Sequence, residues 1–515
     1  MSQPVKTFSI TAPGFLGLNT QDASVDLDPK FALEANNCII DKFGRVGSRN
    51  GWAASNTTSA ALGSASIGAI GELIDSSGAT TLLAAGNNKL FKLVGTTLTE
   101  LAYGGGGVAP TITANNWQTC TLQNCILFFQ IGYDPLIYDT STSTTTYRRL
   151  SEHATYAGTA PLANAAISAY GRIWAANTTT DKNTVYWTDT LTFQKWTGGT
   201  AGSLNLYGVW PQGGDEVVAL AAHNNYLIIF GSKQCLIYSG AQDPATMTLS
   251  DAVSNAGIVG RDCVQNTPDD LAYLSHGGLR SLKRTIQEKS APITTLSKNV
   301  NDDIIGYTAN ESSGATIKSM YVPKESFLLF TFVGSEITYC FDTRSPLPDG
   351  SYRVTTWSEI EPTCYCYSIT NQLYFGKPGY IGKLTGYTDN GTSYRMSYYT
   401  SWVDFGDPIR TSILKKIAVT ILGSVSQTFA YKWGFDYQGQ TRSEQTSLGT
   451  TYSIAEYNEG EYGIAEFNEG TVVGVLNANV GGAGKVIQAG IEADVSDTQI
   501  SIQRFDLYTK DGAYK

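Results

Sequence analysis

One unit recurs along the chain from about residue 65 to residue 390 and limits the folds that the sequence can adopt. It consists of an apolar strand, a short polar turn and a second strand, as in Cys125–Phe129 followed by Leu136–Asp139. When the second strand of each unit is marked by one residue, successive markers lie 44 to 57 residues apart. The markers are Phe91, Tyr138, Tyr186, Tyr238, Leu282, Tyr339 and Leu384.

This spacing favours an irregular β-propeller over residues 56–390. Periods of about 40 to 50 residues with four short strands each are typical of propeller blades. A four-stranded sheet cannot bury both of its faces alone, and packing such sheets around an axis buries them. The alternative is a long β-sandwich with regular hairpins. It stays open because the repeats share a pattern rather than a sequence and carry no WD or kelch signature.

The composition supports an all-β fold and limits the classes of function. Charged residues make up 16% of the 515 residues, against about 25% in typical proteins, and the chain has 53 Gly and 30 Tyr. The formal net charge of −10 argues against a generic nucleic-acid binder, whose footprint is a basic patch. A membrane span is not expected, because no run of about 18 apolar residues occurs.

The N-terminus lacks the apolar core of a secretory signal, so we expect synthesis in a cytosol. The eight cysteines are then expected to be mostly reduced. Cys364 and Cys366 flank one residue and would share a strand face. With only three His in the chain and no CxxC pair, we expect no metal site.

A second, sandwich-like antiparallel β domain is predicted for residues 391–515, where long alternating strands replace the repeat. Residues 1–55 are expected to pack with it, because the hairpin that turns at Asp41–Arg45 precedes the first repeat. The N-terminal segment also predicts one helix. Asp28 is an N-cap candidate, Pro29 suits the first helical position, and Lys30–Ala35 follows.

A tandem repeat interrupts the second domain. Ile454–Gly460 recurs as Ile464–Gly470, ten residues later, and its acids and glycines predict an exposed loop near residues 453–470.

The search for catalytic motifs finds none. The sequence has no GxSxG, GxxxxGK[ST] or HExxH motif. His153, His223 and His276 lie on different repeats, and none has a neighbouring Asp and Ser that would complete a triad. We therefore expect no enzymatic activity and no cofactor.

Four N-terminal stretches and one later run carry a resemblance to a known family. The N-terminal stretches are Pro13–Asp22, Ala32–Asn37, Asp41–Val46 and Arg49–Trp52. The later run comprises Val185–Asp189, Phe193, Trp196, Gly214, Asp215 and Leu227–Phe230. Together they resemble the tail nozzle proteins of short-tailed bacteriophages, also called tail tubular protein B. The resemblance is specific over the first 52 residues and moderate over about 185–240. Elsewhere it extends only to the general pattern of the sequence.

The resemblance implies a homohexameric ring below the tail adaptor, with the propeller outside and the β domain around a channel. It implies a virion tail component, made in the host cytoplasm, that conducts DNA during ejection and docks fibres or spikes. An acidic balance would repel DNA from a channel wall. The alternative function is a carbohydrate-binding or glycoside-hydrolysing propeller, in which loop aromatics stack on sugars and paired carboxylates act on them.

Two sets of residues are expected to serve the nozzle function. Phe15, Leu16 and Leu18 are apolar and precede any domain core, and exposed apolar patches mark partners. The predicted contact with the adaptor or a neighbouring subunit comprises Phe15, Leu16, Leu18, Asn19, Arg45, Arg49 and Trp52. For Trp52 the alternative is a place in the core. The predicted channel tip, with acidic rings that repel DNA phosphates and aromatics that close the tip, comprises Glu456, Tyr457, Glu459, Glu466, Phe467 and Glu469. The alternative for this repeat is a solvated surface hairpin whose aromatics pack locally.

Overall fold

The computed structural model describes residues 5–24, 26–110, 117–268, 270–288, 295–311, 314–405, 409–423, 427–440, 442–447, 472–496 and 498–514. Strands hold 52% of the residues and helices 5%, so the predicted all-β class is confirmed. Six short strands come first: β1 (Val5–Thr11), β2 (Gly17–Leu18), β3 (Phe31–Asn36), β4 (Cys38–Ile40), β5 (Val46–Ser48) and β6 (Trp52–Ala54).

Seven groups of strands follow. The first four groups are β7 (Ile67–Ile74), β8 (Thr80–Gly86), β9 (Lys89–Val94) and β10 (Thr97–Glu100); β11 (Ala102–Tyr103), β12 (Gln118–Leu122), β13 (Cys125–Phe129), β14 (Leu136–Asp139) and β15 (Thr146–Arg149); β16 (Ala163–Ala169), β17 (Arg172–Thr178), β18 (Thr184–Trp187) and β19 (Gly202–Asn205); and β20 (Val217–His223), β21 (Tyr226–Gly231), β22 (Gln234–Ser239) and β23 (Thr248–Ser254).

The fifth group carries the two α-helices of the described residues. The remaining groups and helices are β24 (Val264–Asn266), β25 (Leu271–Ser275), β26 (Gly278–Ser281), α1 (Leu282–Glu288) and α2 (Asn301–Asn310); β27 (Ile317–Val322), β28 (Phe327–Phe332), β29 (Ile337–Asp342) and β30 (Arg353–Trp357); and β31 (Tyr365–Tyr367), β32 (Leu373–Lys377) and β33 (Tyr380–Leu384). Short 3₁₀ helices lie at Leu150–Glu152 and Lys298–Val300.

These groups are the blades of a β-propeller. The innermost strands β7, β12, β16, β20, β24, β27 and β31 contact one another in this order, and β31 contacts β7, so the ring is closed. Among the described residues, six blades are sheets of their own, and the remaining position is filled by β27–β30, which continue into a ten-stranded sheet. The propeller is confirmed, and the alternative of one long sandwich over this region is wrong.

An N-terminal strand completes the last blade. Strand β6 pairs antiparallel with β33, with Trp52 opposite Leu384 and Ala54 opposite Gly382. The ring of Trp52 meets the ring of Phe375 edge on, with centroids 6.0 Å apart. Residues Trp52–Ala54 therefore belong to the propeller, whereas the sequence analysis grouped residues 1–55 with the C-terminal domain.

The C-terminal strands are long and belong to two packed sheets. They are β34 (Tyr394–Thr400), β35 (Arg410–Gly423), β36 (Thr428–Phe435), β37 (Arg442–Ser447), β38 (Val472–Asn479), β39 (Ala483–Gly484), β40 (Ile487–Val495) and β41 (Ser501–Tyr514). One sheet has the order β38-β35-β41-β5-β4, with β1 paired to β41 and β39 to β35. The ten-stranded sheet runs from β27–β30 through β3, β34, β40 and β36 to β37, with β2 paired to β3.

The two C-terminal sheets share one apolar core. Ile417 and Val419 of the first sheet are fully buried, as is Tyr431 of the second. The Tyr431 hydroxyl donates to the carbonyl of Leu476 across the interface at 3.3 Å. The predicted pairing of the N-terminal hairpin with the C-terminal strands is also present, since β5 pairs with β41.

The predicted helix over Asp28–Ala35 is wrong. The carboxylate of Asp28 accepts the Lys30 backbone N–H at 3.0 Å in a turn, and Phe31–Asn36 is strand β3. This strand pairs antiparallel with β34 and parallel with β2 and β30. Helix propensity is a weak local preference, and ladder hydrogen bonds to distant strands override it here.

We predict that Trp52→Ala lowers the free energy of unfolding by about 3 to 5 kcal/mol, because it empties a buried site in the strand that completes the last blade. Urea unfolding followed by circular dichroism measures the change. Tyr207→Ala is the control, since this side chain is 74% exposed and its loss should cost under about 0.5 kcal/mol. Equal effects of the two substitutions would show that β6 does not stabilise the ring.

Candidate functional sites

The predicted N-terminal contact residues lie inside the protein. The apolar patch expected from Phe15, Leu16 and Leu18 is not exposed, so the argument that placed a partner there is wrong. The Phe15 and Leu18 side chains join the core that β2 and β3 form with the ten-stranded sheet. The buried members of the set are Phe15, Leu18, Asn19, Arg45, Arg49 and Trp52, and Leu16 is half-buried.

Phe15 and Asn19 have structural roles. The Phe15 ring packs edge on against Tyr398, with centroids 5.8 Å apart. The side-chain oxygen of Asn19 accepts the backbone N–H groups of Gln21 and Asp22 at 3.0 and 3.1 Å, which forms an Asx turn. These contacts give Phe15 and Asn19 roles within the fold itself.

Arg45 belongs to the turn between β4 and β5. The Asp41 carboxylate accepts the backbone N–H groups of Phe43 and Arg45 at 2.8 and 2.9 Å, which fixes the turn. The Arg45 guanidinium lies over the Phe43 ring, 4.5 Å from its centroid, and its Nε donates to Gln503 of β41. Arg45 thus attaches the N-terminal turn to the last strand.

Arg49 is the most connected of the predicted residues. Its side chain is 0% exposed and forms a two-pronged ion pair with Asp389, at 2.9 and 2.7 Å. Its Nε donates to the side-chain oxygen of Asn37 at 2.8 Å, and a terminal nitrogen donates to the Ser358 carbonyl at 3.3 Å. The guanidinium also lies 3.9 Å from the centroid of the Tyr394 ring.

These partners of Arg49 come from separate parts of the fold. Ser358 follows β30 of the propeller, Asp389 follows the last blade, and Tyr394 begins β34 of the C-terminal domain. Asn37 adopts a left-handed backbone conformation (φ 53°) and donates to the Arg395 carbonyl at 2.8 Å. Burial raises the pKa of the Tyr394 hydroxyl, so the ring next to the guanidinium stays neutral. Arg49 and Asn37, which belong to the N-terminal stretches of the family resemblance, therefore lie at the junction between propeller and β domain.

The predicted channel-tip residues lie outside the described residues. Glu456, Tyr457, Glu459, Glu466, Phe467 and Glu469 belong to the stretch 448–471. The strands on either side of it are β37 and β38, which are the last strands of the ten-stranded and the seven-stranded sheet.

A cavity that the sequence analysis did not identify lies on the propeller axis. It has a volume of 510 Å³ and is lined by residues of all seven innermost strands. One end is closed by Arg261, next to β24, whose two terminal nitrogens donate to the carbonyls of Asn164 and Trp117 at 2.8 and 2.9 Å. Because β16 and β12 are the second and third strands along the ring from β24, the Arg261 side chain crosses the channel.

Two further charged groups stand beside Arg261. The Asp262 carboxylate pairs with the Arg261 guanidinium at 3.0 Å and with the Lys318 ammonium at 2.6 Å. Burial alone would raise the pKa of Asp262, but the two cations outweigh it and hold this pKa well below its usual range. At neutral pH the three groups carry a net charge of +1.

The sequence offered little signal for this cluster. Arg261 and Asp262 precede β24 in a turn, where charged residues are common and usually solvated. Lys318 interrupts the otherwise uncharged strand Ile317–Val322, and a lone charge within a buried strand is the one local hint that it faces a polar cavity.

Within the described residues, no group of three or more His, Cys, Asp or Glu side chains could hold a metal ion. The eight cysteines are free and buried, and burial raises the pKa of Cys364 and of Cys366 to about 12. No helix of the described residues is long and apolar enough to cross a membrane.

No family model and no curated protein matches the sequence. Among solved structures, similar chains include the extracellular domain of BT4673 from B. thetaiotaomicron, with 13% identity, a TM-score of 0.40, and coverage of 86% of this chain and 62% of that one. YCF48 bound to a D1 peptide has 12% identity and a TM-score of 0.37, with coverage of 65% and 96%. PorZ of Porphyromonas gingivalis, a surface component of the type-IX secretion system, has 11% identity and a TM-score of 0.35, with coverage of 63% and 36%. The chain thus spans less than two thirds of BT4673 and of PorZ, and likeness at this level carries no functional argument.

We predict that Arg49→Met lowers the free energy of unfolding by about 3 to 5 kcal/mol, because it leaves the Asp389 carboxylate without its ion-pair partner. Arg49→Lys should restore only part of the loss, since an ammonium cannot make the two parallel hydrogen bonds. The control is Lys89→Met, which breaks the exposed pair with Glu100 and should cost under about 1 kcal/mol. Chemical denaturation compares the three variants, and a loss for Arg49→Met no larger than the control's would contradict the assignment.

Proposed function

We propose that this protein is a subunit of a ring-shaped tail nozzle of a short-tailed bacteriophage, which conducts DNA during ejection and docks fibres or spikes. One observation carries the proposal. The N-terminal stretches that resemble nozzle proteins reach both parts of the fold: Arg45 bonds to the last strand of the β domain, whereas Arg49 and Trp52 contact the last blade of the propeller and the segment that follows it. The resemblance therefore coincides with the contacts that define this two-part architecture.

The closed propeller channel bears on where DNA would pass. Arg261 crosses the propeller axis, so a conduit along that axis would require its hydrogen bonds to Trp117 and Asn164 to break. A DNA channel in this proposal therefore runs between copies of the chain. The net charge of −10 suits that role, because acidic walls repel the phosphate backbone.

The burial of the N-terminal set moves the proposed subunit contact to another surface. In the ring, β domains enclose the channel and meet their neighbours. Val475 of β38 is 58% exposed and Ile409, before β35, is 64% exposed, which makes them the most exposed large apolar side chains of the described β domain. Exposed apolar groups on the domain that lines the ring fit a subunit contact.

Assembly is the first test. Mass photometry and negative-stain microscopy of the purified full chain, alone and with its adaptor, should reveal rings of six 55.4 kDa chains. Val475→Glu should reduce the ring fraction, because it places a charge in the apolar contact. Leu191→Glu is the control, since this side chain is equally exposed at 58% but lies in the propeller. A chain that remains monomeric with and without the adaptor would refute the nozzle proposal.

The acidic repeat gives a second test of the same proposal. Replacing Glu456, Glu459, Glu466 and Glu469 by Gln removes four negative charges per subunit. If these residues face passing DNA, the variant virions should eject DNA more slowly, with the difference shrinking as salt screens the charges. Single-particle ejection assays measure the rate. If wild-type and variant virions eject DNA at the same rate at both low and high salt, the repeat lies away from the DNA path.

A further inference from the structure

We propose that the propeller channel is a binding site for a small sugar acid, that is, a polyhydroxylated molecule with one carboxylate. The site is the 510 Å³ cavity on the propeller axis, which lies within the range of roughly 300 to 1,000 Å³ typical of small-molecule pockets. The proposal does not depend on ring assembly.

The cavity has a closed, charged end and an open, polar end. Arg261 and Lys318 at the closed end are buried, whereas Ser168 and Asn266 at the other end of the innermost strands are exposed. The guanidinium of Arg261 crosses the closed end and donates to the carbonyls of Asn164 and Trp117 on the opposite wall. A ligand would therefore enter past Ser168 and Asn266 and meet the cations last.

The net charge of the residues at the closed end determines which ligand charge the cavity favours. Among the lining residues, Arg261 and Lys318 are the cations and Asp262 is the anion, so a protein of net charge −10 has a cavity of net charge +1. A single carboxylate neutralises this charge. A second negative group would have no cation of its own, and an unpaired buried charge is costly.

Lys318 has hydrogen-bonding capacity to offer that carboxylate. Its side chain is 9% exposed and its ammonium has three N–H donors. Among the described residues, the Asp262 carboxylate, at 2.6 Å, is the one hydrogen-bond acceptor of this ammonium. The remaining donors stand at the wall of the cavity, where a ligand oxygen can accept them.

The rest of the wall offers polar groups to a hydroxylated molecule. The side-chain oxygen of Gln118 accepts the Ala166 backbone N–H at 2.6 Å, and Gln118 lines the cavity together with the hydroxyl-bearing Thr119 and Ser168. The side chains of these three residues can pair with sugar hydroxyls. Other polar lining residues already hydrogen-bond within the protein, namely Gln265 to Ser319, Asn266 to Ala222, and Ser319 to the Asp262 carbonyl.

Isothermal titration of the full chain tests the assignment, with D-glucuronate as probe and D-glucose, D-glucosamine and inorganic phosphate as comparisons. D-Glucuronate should bind at least about tenfold more tightly than the other three, because only it combines hydroxyls with a single negative charge. No detectable D-glucuronate binding, or equal affinity for D-glucose, would overturn the proposal. Phosphate binding as tight as D-glucuronate binding would reduce the site to a general anion site and reject the sugar acid.

Two variants locate the binding. Lys318→Met should weaken D-glucuronate binding at least about tenfold and leave the weak D-glucose binding unchanged. Asp262 keeps its Arg261 partner in this variant, and Lys89→Met is the matched control on the propeller surface. Ala222→Trp fills the open part of the cavity and should abolish binding of both sugars while retaining Lys318.

Folding of each variant is checked by circular dichroism. If Lys318→Met does not fold, Ala222→Trp decides. Wild-type affinity for D-glucuronate in any folded channel variant would show that the ligand binds elsewhere and overturn the assignment.

Discussion

The buried guanidinium of Arg49 is the contact on which the two-part architecture depends. Its ion pair with Asp389 fixes the segment that follows the last blade. Its hydrogen bonds to Asn37 and Ser358 hold the N-terminal segment against the propeller. A buried cation is stable only when its charge and its donors are all engaged, so these segments must occupy one relative arrangement. Removing the arginine would leave the Asp389 carboxylate, which is only 12% exposed, without its cation where three chain segments meet.

This junction explains why the propeller and the β domain share structure. Strand β6 follows Arg49 in the chain and completes the last blade. Strand β3 lies in the ten-stranded sheet between β30 of the propeller and β34 of the β domain. The apolar core is continuous across this sheet. Neither part has a complete set of strands without residues 31–54, so the first segment of the chain is required by both.

The sequence predicted what short-range patterns determine and missed what distant partners determine. Apolar strands bounded by turns, at regular spacing, were sufficient for the propeller and for most strands of the second domain. The helix over Asp28–Ala35 was wrong because strands β34 and β30 compete for the same backbone groups. The strand partner of Trp52 and the ion-pair partner of Arg49 lie more than 300 residues away, so nothing near these residues in sequence indicates that they are buried. Arg261 was missed because a lone arginine in a turn resembles a solvated one.

The placement of charge bears on both proposals. A nozzle subunit that lets DNA pass would have to keep its cations away from the DNA path. Arg49 and Arg261 would meet this condition, because both guanidinium groups are buried against carboxylates and carbonyls. The same burial that hides Arg261 from a polyanion leaves it and Lys318 at the end of a cavity on the propeller axis. A cavity of 510 Å³ has room for a small monoanion, which could approach those cations through the open end, but not for duplex DNA. The two proposals are therefore compatible, because the ligand would occupy the propeller channel while DNA would pass between copies of the chain.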